Sequence, residues 1–465
     1  MSQTMAAKTL KPGINDAGVK DSASKPAMPR GISYIIGNEA AERFSFYGMK
    51  TILMVFMTKF LMEKGGHAFS EPEAMVWFHN FSSAVYFFPI LGALLSDIFW
   101  GKYKTIMNLS IVYCLGHLAL AMFESKMGLA AGLTLISIGA GGIKPCVSAH
   151  VGDQFTDKNK ELLPRVFSWF YFSINFGSFF STLLTPLLLV KYGPSVAFGV
   201  PGILMFIATV VFWIGRKTYY VAPPVGVKHY KKELPSKDSK TALLNLAGLY
   251  LFIAFFWSLY DQTGSAWVLQ AEKMDRMVTF GGKTFEILSS QVQAVNPILV
   301  MMFVPLFDLV LYPFARRFLD VTPLRKIGFG FFLTVFAFAL TAHAETLLGT
   351  GQSVSILWQV ASYVILTAAE VLVSVTALEF SYSQAPNSLK SLIIGLYLLS
   401  VTLGNTITSI VNKVIQDEQG KSTLTGSAYY MFFTYLMLGA TVVYMFYART
   451  YKGKTFVQEQ AATAA

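Results

Sequence analysis

"GNEAAERFSFYGMK", residues 37–50, carries two glutamates, an arginine and a lysine within twelve positions, inside a run that is otherwise apolar. The rest of the chain decides how it is read. The 465 residues are 54% hydrophobic and 15% aromatic but only 14% charged, against about 25% charged residues in a typical soluble domain. Such a chain is an integral membrane protein, so the charged stretch enters the membrane rather than lying on a soluble surface.

Apolar runs of about 20 residues, the length that crosses a bilayer as a helix, occur twelve times. They are Ile32 to Met62, Ala74 to Trp100, Thr105 to Phe123, Gly128 to Val151, Arg165 to Val190, Val196 to Ile214, Leu243 to Leu269, Val292 to Leu319, Ile327 to Ala344, Val354 to Tyr382, Leu389 to Val414 and Ala428 to Tyr447. Runs this long satisfy their own backbone only as helices, which excludes a barrel of alternating strands. The expected fold is an all-α membrane protein with twelve transmembrane helices. About 25 of the 37 Lys and Arg residues fall on one side of these spans and about 8 on the other, which makes the basic side cytoplasmic together with both termini. The net charge of +11 then faces anionic headgroups and implies no nucleic acid. Residues 1–30 lack an apolar signal core and are expected to be a disordered cytoplasmic tail; residues 449–465 form a second cytoplasmic tail. Cys114 and Cys146 lie in apolar runs and suggest neither a disulfide nor a metal site.

Residues 215–242, which include "HYKKELPSKDSK", form the longest cytoplasmic connection and divide the spans six and six, 31–214 and 243–448. A weak internal echo supports the division. "LLSDIFWGKYK" after the second span and "LFDLVLYPFARRFLDVTPLRK" after the eighth each place an acid at an inner helix end, followed by basic residues. Two six-helix bundles with a cavity between them is the architecture that follows.

Ionisable side chains at membrane depth are costly, so each is a functional candidate. Glu39, Glu42 and Arg43 are spaced i, i+3, i+4 and share one helix face. Two neighbouring carboxylates do not both ionise cheaply, so the cluster reads as a proton-coupling site, with a purely structural ion cluster as the rival. Lys144, in "GAGGIKPCVSAH", lies at a similar depth on the fourth span and has Glu42 as its candidate partner; a snorkelling interfacial lysine is the rival. His79 shares a face with Tyr86 seven residues on. A histidine titrates near physiological pH, and for His79 a proton role and a packing role both stay open. Lys50 and Asp261 both lie toward the outer side and form an expected gate pair between the halves. Glu370 falls near the midpoint of the tenth span and Glu379 nearer its inner end, on nearly opposite faces, so only Glu370 has the depth of a central site. A cavity that is positive at Arg43 and Lys144, negative at Glu370 and aromatic between them suits a short zwitterionic peptide.

Six blocks then carry a family resemblance: "ExxERFSFYG" at Glu39–Gly48, "GIKPCVSAHVGDQF" at Gly142–Phe155, "FYFSINFGS" at Phe170–Ser178, "FWSLYDQTGSAW" at Phe256–Trp267, "QAVNP" at Gln293–Pro297 and "LEFSYSQAP" at Leu378–Pro386. In this order they resemble the proton-dependent oligopeptide transporters of the major facilitator superfamily. The resemblance implies that Glu39, Glu42 and Arg43 couple protons, with Lys144 pairing with them and helping hold the peptide carboxylate. It implies that Glu370 receives the peptide amino group, that Tyr47, Tyr86, Asn175 and Asn296 hydrogen-bond the peptide, and that Trp257 walls the side-chain pocket. Lys50 and Asp261 match the outer gate, and His79 matches a histidine with a proton role in animal-type members. Phe46 stands where tyrosine is usual, which removes a hydroxyl from the pocket. Lys50 replaces a more usual arginine, exchanging a bidentate fork for a point charge. The linker is too short for the two extra helices of many bacterial members.

The expected function is proton-driven symport of di- and tripeptides by alternating access, with the proton as coupling ion, no other cofactor, and a monomer in the membrane. A nitrate or small-anion transporter of the same fold is the runner-up, opposed by Glu370, and a non-transporting peptide receptor is the rival from another class. The absence of GxxxxGK[ST], HExxH and GxSxG disfavours ATP-driven transport and hydrolysis. The connection between the ninth and tenth spans lacks the large outer domain of animal relatives, which points to a bacterial inner membrane.

Overall fold

The computed structural model describes residues 27–61, 68–156, 158–227, 237–384 and 390–451. Residues 1–26 of the first tail, 228–236 of the linker and 452–465 of the second tail lie outside the described residues, as do Met62 and Leu389, the assigned ends of two spans.

Among the described residues, twelve principal helices follow one another. They are α1 Ile32–Val55, α2 Glu71–Leu95, α3 Lys102–Met122, α4 Lys126–Asp153, α5 Leu163–Tyr192, α6 Pro194–Ile214, α7 Lys237–Tyr260, α8 Val295–Leu306, α9 Pro323–Gly349, α10 Leu357–Glu370, α11 Lys390–Val414 and α12 Ser427–Thr450. A tight turn at Asp261–Gly264 carries α7 on into Ala266–Lys273, and wider turns at Phe307–Leu311 and Val371–Val375 carry α8 and α10 on into Tyr312–Ala315 and Thr376–Gln384. Eleven of these elements are long and apolar enough to cross a membrane by composition. The exception is α1, where Glu39, Glu42, Arg43 and Lys50 dilute the apolar run. With twelve crossings the start of α1 and the end of α12 share one side, here the terminal side, and the opposite side is the far side.

Local chemistry sets where helices begin. Ser70 Oγ accepts from the Glu73 amide at 3.3 Å and Pro72 occupies the first turn of α2. Thr322 Oγ1 accepts from the Arg325 amide at 3.3 Å ahead of Pro323 in α9. Both satisfy amides that the first turn leaves without a helical partner.

The packing repeats with a period of six helices. In the first half α1 packs on α5 and α6, α2 on α4, and α3 on α4 and α6; in the second α7 packs on α11 and α12, α8 on α10, and α9 on α10 and α12. The halves meet through α2 against α11 and α5 against α8, a pair of contacts that exchange under the same six-helix shift. The fold is thus two six-helix bundles related by an internal repeat, the major facilitator arrangement. The repeat extends to single residues. A Cβ on Gly177 of α5 would lie 2.5 Å from the Ala40 carbonyl oxygen of α1, and one on Gly404 of α11 would lie 2.4 Å from the Ala254 carbonyl oxygen of α7. In lipid, where apolar surface gives little drive for helix association, such small residues permit the close approach that holds neighbouring helices.

One element departs from the all-helical expectation. Between α7 and α8 on the far side, strands β1 Met277–Phe280 and β2 Lys283–Glu286 pair antiparallel, turning at Gly281 and Gly282 with φ of +58° and +77°. That double left-handed turn matches a two-residue hairpin loop. A bilayer forbids an exposed sheet edge, so the hairpin is confined to this connection.

Replacing Gly177 with alanine is expected to cost about 1–3 kcal/mol by overpacking, whereas Gly37→Ala, where nothing lies within 4 Å, should not destabilise. Thermal unfolding of the two variants in mild detergent measures this; equal midpoints would contradict the close-approach reading.

Candidate functional site

The charged face of α1 folds onto itself. Arg43 Nε lies 2.7 Å from Glu39 Oε1 and 2.8 Å from Glu42 Oε2, with all three side chains buried. The i, i+3, i+4 spacing thereby becomes one guanidinium between two carboxylates. Lys144 is near but not in ion-pair contact with a carboxylate among the described residues. Its Nζ stands 4.1 Å from the Tyr86 ring centroid and 4.9 Å from that of Phe46, so the aromatic faces supply its attraction. Phe46 therefore fills its unusual position as a cation–π partner.

Between the halves lies a cavity of about 230 Å³. Tyr47, Lys50, Tyr86 and Asn175 line it from the first half, and Trp257, Tyr260, Asp261, Asn296 and Glu370 from the second. Glu370 Oε2 accepts from Asn296 Nδ2 at 2.7 Å, and the same amide lies 3.1 Å from Thr367 Oγ1. The helix widens immediately after Glu370, at Val371–Val375, as helices often do at functional positions. Glu379 is exposed and lies away from this cavity. Arg43 and Lys144 do not line it either. The two carboxylates hold Arg43 back, one helical turn from Tyr47, and Lys144 stands behind Tyr86.

The third group joins the two halves toward the far side. Lys50 Nζ donates to Asp261 Oδ1 at 3.0 Å, Asn405 Nδ2 donates to Asp261 Oδ2 at 2.6 Å, and Asn405 Oδ1 lies 2.8 Å from His79 Nδ1. Because the amide oxygen only accepts, His79 Nδ1 must carry the hydrogen, which leaves Nε2, 2.9 Å from Ser265 Oγ, to accept from the serine when the ring is neutral. This chain links α1, α2, α7 and α11 across both halves. The ion pair of Lys59 with Glu272 adds a second crossing contact beyond it.

Sequence reasoning brought Lys50 to Asp261 and left His79 separate; the structure joins His79 to that pair through Asn405. Neither Asn405 nor Ser265 was singled out. The signal for Asn405 is a polar stripe on α11, Thr402, Asn405, Ser409 and Asn412, at three- and four-residue spacing. Ser265 lies within the quoted "FWSLYDQTGSAW" block, where nothing set it apart from its neighbours.

Two helical bundles with a polar cavity between them and buried charges beside it define a membrane protein of the major facilitator class. The comparisons are more specific: a family model, that of the POT family, matches residues 103–234 and 225–432. The chain belongs to the POT family. Peptide transporter 3 of Caenorhabditis elegans is 37% identical over 363 residues, which are 68% of this chain and 50% of that protein. Solute carrier family 15 member 2 of Homo sapiens is 38% identical over 366 residues, 68% of this chain and 49% of that protein. The chain spans about half the length of these curated relatives. The crystal structure of the POT family transporter PepTSo is 37% identical, with a TM-score of 0.82 covering 92% of this chain and 99% of that one.

Asn405→Leu is expected to strand the His79 Nδ1 hydrogen and one Asp261 oxygen in a buried site, at a cost of about 1–3 kcal/mol. Thermal unfolding in detergent and the reactivity of a cysteine placed at the cavity residue Thr182 toward a reagent added from the far side measure this. Lower stability with faster labelling is the expected result; unchanged values for both would remove Asn405 from the junction.

Proposed function

We propose that this protein imports di- and tripeptides together with protons across a cytoplasmic membrane by alternating access. The observation that carries the reading is the inter-half cavity in which the part-buried carboxylate of Glu370 faces Tyr47, Tyr86 and Asn175 on the opposite wall. A peptide spanning it meets a carboxylate for its amino group. Its backbone has hydrogen-bonding groups in the two tyrosines, Asn175 and Asn296, and its side chains an apolar wall at Trp257. Arg43 and Lys144, one layer behind the wall, are assigned to the carboxylate end, reached when the cluster on α1 rearranges. The names of the peptide transporters to which the chain is similar support this substrate class.

Protonation within Glu39 and Glu42 would release Arg43 from one carboxylate, and His79 is assigned a linked proton role through its bond to Asn405. The Lys50–Asp261 ion pair is assigned as the outer gate. The distribution of Lys and Arg supports a far side that faces outward with both termini in the cytoplasm, and a bacterial inner membrane is the assigned location. The substrate crosses chemically unchanged, so no catalytic group is assigned. The coupling ion is the proton, no other cofactor or metal is assigned, and the working unit is a monomer in membrane lipid. Nitrate or another small anion fits the site poorly, because Glu370 would repel it once ionised.

Purified protein in liposomes should accumulate labelled dialanine only under an inward proton gradient, and Glu370→Ala should lower uptake by at least about thirtyfold, the loss of roughly 2 kcal/mol expected when a desolvated ammonium loses its carboxylate. Peptide binding with no accumulation under any gradient would favour the receptor reading; nitrate accumulation without peptide uptake would favour the anion reading.

A further inference from the structure

A cavity of about 930 Å³ lies away from the central site, on the terminal side of the second half, where α9, α12 and the end of the α10 span converge. It forms no part of the transport path described above. Arg325 stands in the first turn of α9 and Arg449 in the last turn of α12, and both line this cavity with no acidic residue in its walls among the described residues. Phe329 and Phe332 follow Arg325 by four and seven residues, and Met445 precedes Arg449 by four, so each arginine has apolar side chains directly beneath it on its own helix face. Those three residues are 57%, 44% and 54% exposed, an apolar channel that runs from headgroup level toward the bilayer interior.

Two further observations point to an occupant. Tyr451, which lines the same cavity, has its hydroxyl buried without a hydrogen-bond partner. Arg325 is bound only loosely: its Nη1 donates to the Asp320 carbonyl at 2.9 Å and lies 3.4 Å from the Asp320 carboxylate, with both side chains more than half exposed. An exposed pair of that kind contributes little, whereas a phosphate offers the guanidinium a bidentate partner.

We propose that this groove holds one anionic phospholipid, its phosphate between Arg325 and Arg449 with the Tyr451 hydroxyl as a further donor, and an acyl chain along Phe329, Phe332 and Met445. Basic pockets between membrane helices recognise anionic headgroups by this combination of charge and depth. The occupant is a lipid rather than a soluble phosphate because the arginines alone would bind the headgroup, while the exposed apolar channel beneath them requires a chain.

The test is native mass spectrometry of the full-length protein in mild detergent, titrated with phosphatidylglycerol or with phosphatidylcholine of the same chains. Wild type should retain one phosphatidylglycerol in preference to phosphatidylcholine. The double variant Arg325→Gln with Arg449→Gln should weaken that tightest site by about thirtyfold, as expected for two basic residues at a headgroup, while Arg325→Lys with Arg449→Lys should keep most of it. Equal retention of the two lipids by wild type, or undiminished phosphatidylglycerol retention by the glutamine variant, overturns the proposal. So does stronger lipid binding after removal of residues 452–465, which would give the groove to the chain's own tail.

Discussion

A guanidinium buried in a membrane helix has to keep its counter-charges, and the arrangement around Arg43 follows from that constraint. Arg43 is 7% exposed and its two partners, Glu39 and Glu42, are 2% exposed each. Removing one partner of a buried pair is strongly unfavourable, so Arg43 stays where the carboxylates hold it. Two carboxylates against one guanidinium leave a single negative charge in surplus, which either a proton or the nearby Lys144 can cancel. Lys144 rests on the rings of Phe46 and Tyr86 rather than on a carboxylate.

The fold ties the helix that carries this balance to both halves. The repeat that relates α1–α6 to α7–α12 places α1 and α7 on opposite walls of one cavity, while α2 with α11 and α5 with α8 form the seams. Gly177 and Gly404 let α5 and α11 press against the backbones of α1 and α7 at matching places. A shift in α1 therefore cannot be absorbed by loose packing and must be carried by its neighbours. On the far side the seam is polar and specific, running from Lys50 through Asp261 and Asn405 to His79 and Ser265. Because the Asn405 amide nitrogen donates to Asp261 and its oxygen can only accept, it fixes which nitrogen of His79 carries hydrogen and ties the histidine to the Lys50–Asp261 pair.

The helices and their order were legible from hydropathy alone, since in lipid every backbone group must be bonded within its own segment. The charged residues of α1 were legible as a cluster because i, i+3, i+4 spacing fixes a common face. Pairings between distant segments were harder to read: Lys50 with Asp261 could be inferred from equal depth, but the bond of Asn405 to both Asp261 and His79 depends on how α11 is rotated. The placement of Lys144 against rings rather than Glu42 depends on side-chain reach, which spacing does not specify. The hairpin at residues 277–286 had a readable signal, Gly281–Gly282 between alternating residues, but it lies in a connection where a reading by apolar runs does not look.

The central claim is that the α1 carboxylates couple proton entry to movement of the substrate site, and it is tested most directly by separating exchange from accumulation. Liposomes holding Glu42→Gln should be loaded with unlabelled dialanine and assayed for counterflow of labelled dialanine, then assayed empty for uptake under an inward proton gradient. Retained counterflow with loss of gradient-driven accumulation is the predicted result. Accumulation at the wild-type level would contradict the account by showing that the proton binds elsewhere, and loss of both activities together would show that Glu42 holds the structure rather than couples it.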